Sequence, residues 1–176
     1  MDRQDASRLT PLAEALLALA EAEVARGARV IFVAGPQGVG KSTAMAAMTS
    51  AIPGSVALGL DAFYLTRNER MALARDVHPL FETRGPPGTH DVALLRDTLA
   101  RLKASGAEER IPVPAFDKAE DERRPEAEWP VLAGAPRVIF VEGWMMGVAA
   151  DLSAPEAAPL NAVEAEDVDG AWRAWQ

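Results

Sequence analysis

The sequence predicts an α/β fold that is built around a parallel sheet. Two short apolar runs, at residues 30–33 and 138–141, contain no polar residue, which is typical of strands that are buried on both faces. Segments with the apolar spacing of helices precede and separate these runs. Because strands that alternate with helices usually pair in parallel, we expect a layered α/β domain.

The first elements are predicted from the signals at their ends. Thr10 followed by Pro11 is a typical helix start, and apolar residues then recur at helical spacing up to Gly27, a typical C-terminal stop. The strand at residues 30–33 follows. A second helix is predicted over residues 41–51, and the Pro-Gly pair that follows shortly after predicts where it ends.

The middle of the chain predicts one more strand and two more helices. Residues 56–60 are apolar enough for a strand, and residues 67–76 predict a short helix. Residues 77–90 are predicted to be a loop because they hold three prolines and two glycines. A helix with one apolar stripe follows from Asp91, and residues 106–135, with four prolines, are expected to be mostly irregular.

The last predicted strand is the run at residues 138–141, which leads into Glu142. Only three strands are therefore visible, whereas sheets commonly have about five. Residues 171–176 have the composition of a helix start. We therefore expect residues 1–176 to form a single domain that is C-terminally incomplete.

Composition restricts the partners of the chain. The net charge is −8, which argues against nucleic acid, because nucleic-acid surfaces need clustered lysine and arginine. No apolar run approaches the roughly 20 residues that span a membrane, and the N-terminus has no signal-peptide pattern. The chain has no cysteine, so it offers neither disulfides nor a thiolate zinc site. A cytoplasmic location is expected, and the oligomeric state is not predicted.

A glycine-rich segment at residues 35–42 fits the Gly-x-x-x-x-Gly-Lys-Ser pattern, between a predicted strand and a predicted helix. Glycines let backbone N–H groups turn inward toward phosphates, and the helix adds the positive end of its dipole. The sequence therefore predicts the P-loop NTPase fold, three layers around a parallel sheet, with ATP and Mg²⁺ as cofactors. The expected nucleotide contacts are Gly35, Pro36, Gln37, Gly38, Val39, Gly40, Lys41, Ser42 and Thr43.

Other motifs separate the P-loop classes. The guanine-reading Asn-Lys-x-Asp of switch GTPases and the Leu-Ser-Gly-Gly-Gln of transporters are both absent. One Asp-x-x-Gly occurs, at residues 167–170, but it does not follow an apolar strand. Asp61 and Glu142 instead each follow a predicted strand, at the carboxyl edge of the sheet where ligands bind.

Six further motifs, in this order, resemble the D-glycerate 3-kinase family, which belongs with uridine kinase, phosphoribulokinase and bacterial pantothenate kinase. The resemblance covers residues 28–176. The motifs are Asp61-Ala-Phe-Tyr-Leu-Thr-Arg67, His78-Pro-Leu80, Arg84-Gly-Pro-Pro-Gly-Thr-His-Asp91, Pro114-Ala-Phe-Asp-Lys-Ala119, Asp121-x-Arg123 and Glu142-Gly-Trp144.

The resemblance implies roles for the strand-end acids and the phosphate loop. Asp61 would orient or deprotonate the acceptor hydroxyl, and Lys41 would reach the β- and γ-phosphates. Ser42 would ligate Mg²⁺, and Glu142 would hold the metal, directly or through water. The family usually has a second aspartate where this chain has Ala62, which removes a neighbour of the metal site but not the base.

The resemblance also implies acceptor contacts, each with an ordinary structural alternative. The candidates for substrate binding are Tyr64, Arg84, His90, Asp91, Lys118 and Arg123. Tyr64 could equally pack, Asp91 could cap the following helix, and Lys118 and Arg123 could be solvated surface charges. Arg84 could hold a substrate carboxylate in a bidentate fork.

The predicted function is therefore an ATP-dependent small-molecule kinase that phosphorylates a hydroxyl of a small organic acid, with D-glycerate as the first candidate. A kinase of another acceptor, such as pantothenate or a nucleoside, is one alternative. A truncated nucleotide-binding protein without kinase activity is the other. The family continues with further strands and a basic lid, so we expect residues 1–176 alone to be weakly active or inactive.

Overall fold

The structure is a computed structural model that describes residues 9–147, 158–159, 162 and 164–175. The chain divides into two compact units. The first, which contains the main sheet and is called the sheet unit below, comprises Met1–Leu60, Arg96–Val113 and Val131–Gly147. The second, called the hairpin unit, comprises Asp61–Leu95, Pro114–Pro130 and Val148–Gln176. The expectation of a single domain stays a prediction.

Helices and strands alternate along the first half of the chain. The helices are α1 (Pro11–Ala25), α2 (Lys41–Ala51), α3 (Arg67–Asp76), α4 (Val92–Ala104) and α5 (Ala171–Trp175). The strands are β1 (Val30–Ala34), β2 (Ser55–Gly59), β3 (Arg110–Pro112), β4 (Phe116–Asp117), β5 (Glu122–Arg123), β6 (Val131–Ala133) and β7 (Val138–Gly143). Within the described residues, 3₁₀ turns lie at Leu60–Phe63, Pro79–Glu82, Glu126–Glu128 and Glu164–Glu166.

The main sheet is parallel, in the order β1-β7-β2. Val30 pairs with Ile139 and Ser55 pairs with Val138, so β7 lies between the two earlier strands. The first four residues of β7 are completely buried, and this confirms the prediction of a buried apolar strand. The same prediction is wrong for β1, where Phe32 is 53% exposed, because β1 pairs on one side only among the described residues.

One face of this sheet packs against α1 and α2. The core there contains Ala20, Val33, Met45, Met48, Ile52, Val138 and Phe140. Burying each large apolar side chain contributes about 1.5–3 kcal/mol, so this packing is what fixes α2 against the sheet. The Thr10 hydroxyl accepts a hydrogen bond from the Ala13 N–H at 3.2 Å, as expected for the N-cap of α1.

The structure moves one predicted strand by a residue and adds detail to two predicted irregular segments. The second strand is Ser55–Gly59, because Leu60 already begins a 3₁₀ turn. Residues 106–135 contain two antiparallel pairs, β3 with β6 and β4 with β5, which are too short to give a period-two signal. The loop at residues 77–90 contains a 3₁₀ turn, capped by the His78 ring nitrogen Nδ1, which accepts the Leu80 N–H at 3.3 Å.

Other elements agree with the sequence. Helices α2 and α3 have the predicted bounds, and α5 begins at residue 171 as predicted. The Asp167 carboxylate accepts the N–H groups of Trp172 and Arg173, at 2.9 and 3.0 Å, and so caps α5. Among the described helices, none has the length and apolar character needed to cross a membrane.

Candidate functional site

The phosphate loop joins β1 to α2 in the sheet unit. Gly38 and Gly40 have positive φ angles of 76° and 94°, a conformation that glycine adopts without steric cost. Gly40 is the N-cap of α2 and has no side chain to cap the helix. The N–H groups of the first turn of α2 are therefore not capped by this residue, at a helix end that favours anions.

Lys41 lies along this loop. Its ammonium Nζ donates to the carbonyl oxygens of Gly35 and Pro36, at 2.7 and 2.8 Å, and the residue is buried. A Cβ at Gly35 would be in ordinary van der Waals contact with the Lys41 side chain, at 3.4 Å. The loop thus holds a lysine charge beside the backbone that would surround phosphates.

Ser42 and Glu142 meet in the same unit. The Ser42 hydroxyl donates to Glu142 Oε1 at 3.3 Å, although the two residues are a hundred positions apart. The pairing of β1 with β7 produces this contact, because both strands end at the same edge. The described residues contain no group of three or more His, Asp or Glu side chains that could hold a metal alone. A hydroxyl beside a carboxylate is nevertheless a donor set that suits Mg²⁺ when phosphate oxygens complete it.

Asp61 has two side-chain partners in the hairpin unit. Lys118 Nζ donates to Asp61 Oδ2 at 2.6 Å, and the Tyr64 hydroxyl donates to Oδ1 at 3.1 Å. Burial raises the pKa of Asp61, but the hydrogen bond and charge of Lys118, together with Tyr64, outweigh it and hold the pKa below its usual value. Burial and the Asp61 charge raise the pKa of Tyr64. Asp61 is therefore ionised and Tyr64 is neutral near pH 7.

His90 stacks on Tyr64, with ring centroids 4.4 Å apart. Burial lowers the pKa of His90 to about 4, against the attraction of the nearby Asp61 charge. The ring is therefore neutral near pH 7, and its Nε2 is buried without a hydrogen-bond partner. The group formed by Asp61, Tyr64, His90 and Lys118 is called the acceptor cluster below.

Arg84, the predicted carboxylate fork, is already bonded. Its Nη1 forms an ion pair with Asp121, and its Nη2 donates to the carbonyl oxygen of Lys118 at 3.2 Å. Asp121 also forms an ion pair with Arg70, which is completely buried and donates to the Leu65 carbonyl oxygen at 2.7 Å. A substrate carboxylate that bound both Nη atoms of Arg84 would have to replace these bonds.

The roles of Arg70 and Asp121 were missed by the sequence reasoning. Asp121 stood in a family motif, but nothing in the sequence indicates that two arginines converge on it. Arg70 lies in a polar helix, and its complete burial depends on tertiary contacts. Both arginines also lie over the Phe116 ring, at 5.8 Å for Arg70 and 5.7 Å for Arg84.

Asp91 and Arg123 contact each other. Asp91 Oδ1 accepts the Leu94 N–H at 2.9 Å, so this residue caps α4. Its Oδ2 accepts from Arg123 Nη2 at 3.1 Å, and the same nitrogen donates to the Tyr64 carbonyl oxygen at 2.8 Å. These two candidates therefore stabilise the backbone that carries Tyr64, whether or not they also contact a substrate.

A cavity of about 430 Å³ lies in the hairpin unit. Its lining residues are Arg67, Glu82, Thr83, Arg84 and Asp121. Arg84 is the one sequence-predicted acceptor residue among them, and the acceptor cluster does not line this cavity. The cavity has the size expected for a small ligand, with two arginines in its wall.

A glycine-rich loop between a parallel strand and a helix, with lysine and serine at the helix start, defines a P-loop nucleotide-binding domain. The chain is 35% identical to the chloroplastic D-glycerate 3-kinase of Arabidopsis thaliana over 130 residues, which cover 67% of this chain and 28% of the relative. It is 34% identical to the uncharacterized kinase mug58 of Schizosaccharomyces pombe over 131 residues, which cover 67% of this chain and 46% of the relative.

A solved D-glycerate 3-kinase structure is also similar to this chain. The D-glycerate 3-kinase of Cryptococcus neoformans var. grubii superimposes with a TM-score of 0.67 at 26% identity, over 95% of this chain and 61% of that one. No family model matches the chain. Over the shared residues, the chain is similar to P-loop kinases, D-glycerate 3-kinases among them. It spans less than half the length of these two curated relatives.

Proposed function

We propose that the protein is an ATP-dependent kinase that transfers the γ-phosphoryl group to a hydroxyl of a small organic acid, with D-glycerate as the first candidate. The observation that carries this proposal is the phosphate loop with Lys41 laid along it and Ser42 bonded to the strand-end Glu142. Names of relatives add support, since each of the two curated relatives above is named as a kinase.

The residues of the phosphate loop would bind the triphosphate. The N–H groups of residues 38–43 and the Lys41 ammonium would bind the β- and γ-phosphate oxygens. Lys41 would exchange its two carbonyl partners for phosphate, which costs little because the side chain already lies in the loop. Ser42 and Glu142 would hold Mg²⁺, whose positive charge would offset the negative charge of these oxygens.

Asp61 would bind the acceptor hydroxyl and receive its proton. The acceptor hydroxyl would donate its hydrogen bond to the Asp61 carboxylate, its oxygen would form the new bond to the γ-phosphorus, and the bond from that phosphorus to ADP would break. The proton would pass to Asp61 as the new bond forms. A carboxylate with a lowered pKa is a weak base. Asp61 would therefore mainly orient the hydroxyl before the transition state is reached. This suffices because the transition state of phosphoryl transfer is loose, with little bond formation to the attacking oxygen.

Individual cations of the hairpin unit, and not its net charge, support an acid as the acceptor, because the unit as a whole has more acidic than basic residues. Lys118, Arg84 and Arg67 lie in this unit, and the two arginines line its cavity beside Glu82 and Asp121. Tyr64, His90, Asp91 and Arg123 remain proposed acceptor contacts. A carboxylate would be attracted by these cations, whereas pantothenate would fit the same charges with a longer body.

The test is acceptor-dependent ADP formation by the full-length protein. ATP turnover would be measured in a coupled assay with Mg²⁺ and D-glycerate, pantothenate, uridine or no acceptor. We expect turnover that depends on D-glycerate and falls to background in Lys41→Met. Dependence on pantothenate or uridine would change the acceptor but keep the kinase. Nucleotide binding without any acceptor-dependent turnover would support the non-catalytic alternative.

A further inference from the structure

The Asp61–Lys118 ion pair is poorly explained by stability. The Lys118 side chain is 60% exposed and that of Asp61 is 40% exposed, and exposed ion pairs contribute little to folding. Yet the short loop that carries Lys118 is held by hydrogen bonds and ion pairs of Asp117, Arg70 and Arg84. Because these contacts fix the loop around an exposed lysine, the position of Lys118 serves a purpose other than folding stability.

The loop between β4 and β5 is fixed at both ends. At one end, Asp117 Oδ1 accepts the N–H groups of Ala119 and Glu120, at 3.0 and 3.2 Å. At the other end, Asp121 has a positive φ of 54°, and its carboxylate binds Arg70 and Arg84. A left-handed backbone at a non-glycine residue is kept only where its surroundings stabilise it.

Arg84 also holds the backbone of Lys118 itself. Its Nη2 donates to the Lys118 carbonyl oxygen across 34 positions of sequence. The ring of Phe116, at the start of the same hairpin, packs edge-on against Tyr64 at 5.2 Å, and Tyr64 is the other partner of Asp61. Both oxygens of Asp61 are thus oriented by residues that the hairpin positions.

We propose that Lys118 is a positioning residue, which holds the Asp61 carboxylate in one orientation and keeps its negative charge available to the acceptor hydroxyl. This inference rests on the proposed function, in which Asp61 receives that hydroxyl. Each carboxylate oxygen has two lone pairs, so one on each oxygen stays available after Lys118 and Tyr64 have bound. Lys118 acts through Asp61 and is not required to touch the substrate.

The proposal predicts a particular pH dependence. Without Lys118, burial remains as the main influence on Asp61 and raises its pKa, with the Tyr64 hydroxyl as a weaker opposing influence. The acid limb of kcat/KM, which follows protonation of Asp61, should therefore move to higher pH. His90 also faces Asp61, but it stays neutral above its pKa of about 4, so a limb that appears above this pH is not due to His90.

The experiment compares Lys118→Met, Lys118→Arg and the matched control Lys103→Met in the full-length protein. Lys103 is exposed on α4 and outside the acceptor cluster. For D-glycerate-dependent turnover, we expect Lys118→Met to lower kcat about tenfold or more at neutral pH, with an acid limb moved upward. Lys118→Arg should restore much of the lost kcat and return the acid limb toward its original pH. Lys103→Met should behave as the unmodified protein. A rise in the acceptor KM alone would mean a substrate contact instead and would overturn the proposal.

A second measurement separates this inference from the proposed function. The ¹³C carboxyl signal of Asp61, assigned by its loss in Asp61→Asn, would be titrated with and without Lys118. An unchanged titration in an active kinase would overturn the positioning role alone. Absence of acceptor-dependent turnover in the unmodified protein would overturn the proposed function, and with it the catalytic purpose of the pair, even if the titration showed the two groups to be coupled.

Discussion

The phosphate loop and the acceptor cluster would bind their expected ligands by different means. The phosphate loop uses exposed backbone and one lysine, and its shape comes from glycines in contiguous sequence. The acceptor cluster uses side chains from three separate segments, which are already paired with one another. A backbone site can be recognised from a short motif, whereas a side-chain site depends on contacts that only the fold creates.

The largest effect on turnover is expected from substitution of Asp61. This substitution tests whether the acceptor cluster contributes to phosphoryl transfer without contributing to ATP binding. Asp61→Asn keeps the shape but loses the carboxylate, so turnover should fall about 10²–10⁴-fold, the usual contribution of a general base. ATP binding, followed by calorimetry, should be unchanged. Asp76→Asn, at an exposed aspartate paired only with its neighbour Arg75, is the control. Equal loss of nucleotide binding in Asp61→Asn would remove the distinction between the two regions.

Substitution of Lys41 tests the phosphate loop, the other region in this comparison. Lys41→Met should weaken ATP binding and lower turnover together, by about 10²–10³-fold, since one charged donor to the phosphates is lost. Fluorescence titration with a labelled ATP analogue would measure the binding. Turnover that falls while binding stays at the unmodified level would show that Lys41 acts only in the transition state.

Within the hairpin unit, folding stability should depend more on the buried Arg70 than on the partly exposed Arg84. Arg70→Met removes a completely buried guanidinium and leaves the Asp121 carboxylate and the Leu65 carbonyl without this donor. We expect the free energy of unfolding to fall by about 3 kcal/mol, as for other broken buried pairs. Arg84→Met, at a side chain that is 29% exposed, should cost about 1 kcal/mol or less. Urea unfolding of both variants measures the difference, and equal losses would contradict it.

The smallest expected effects are at two helix caps, one from each unit. Thr10 accepts one backbone N–H, whereas Thr66 forms a capping box with Glu69 at the start of α3. Each Thr→Ala substitution should lower the unfolding free energy by about 1 kcal/mol, and Thr66→Ala should cost slightly more because the Glu69 contact is also lost. Thermal unfolding of the two variants would measure this, and a neutral Thr66→Ala would mean that the box is not formed in solution.

Local patterns predicted the sheet unit well. The helix bounds of α2 and the buried run of β7 follow from glycine, proline and apolar spacing. The exposed face of β1 could not be predicted, because a strand's neighbours are absent from its own residues. The short strands β3 to β6 were missed for a different reason, since two or three residues carry no periodicity.

The candidate site was predicted unevenly. The Ser42–Glu142 contact follows from two strands that end at one edge, which the sequence already indicated. The pairing of Asp61 with Lys118 could not be predicted, because it depends on a turn that Arg84, from another segment, holds through Asp121 and the Lys118 carbonyl. The resemblance indicated which residues to examine, and only the fold specified their partners.

The strand order also has a consequence for how the chain is made. β1 and β2 are both complete within the first 59 residues, but they do not pair with each other. The strand between them, β7, is translated about eighty residues later, so neither early strand has its sheet partner while the ribosome synthesises the segment between β2 and β7. Closing such long loops is slow, and unpaired apolar strands attract other chains. The growing chain should therefore be most dependent on chaperones between the emergence of β2 and that of Gly143.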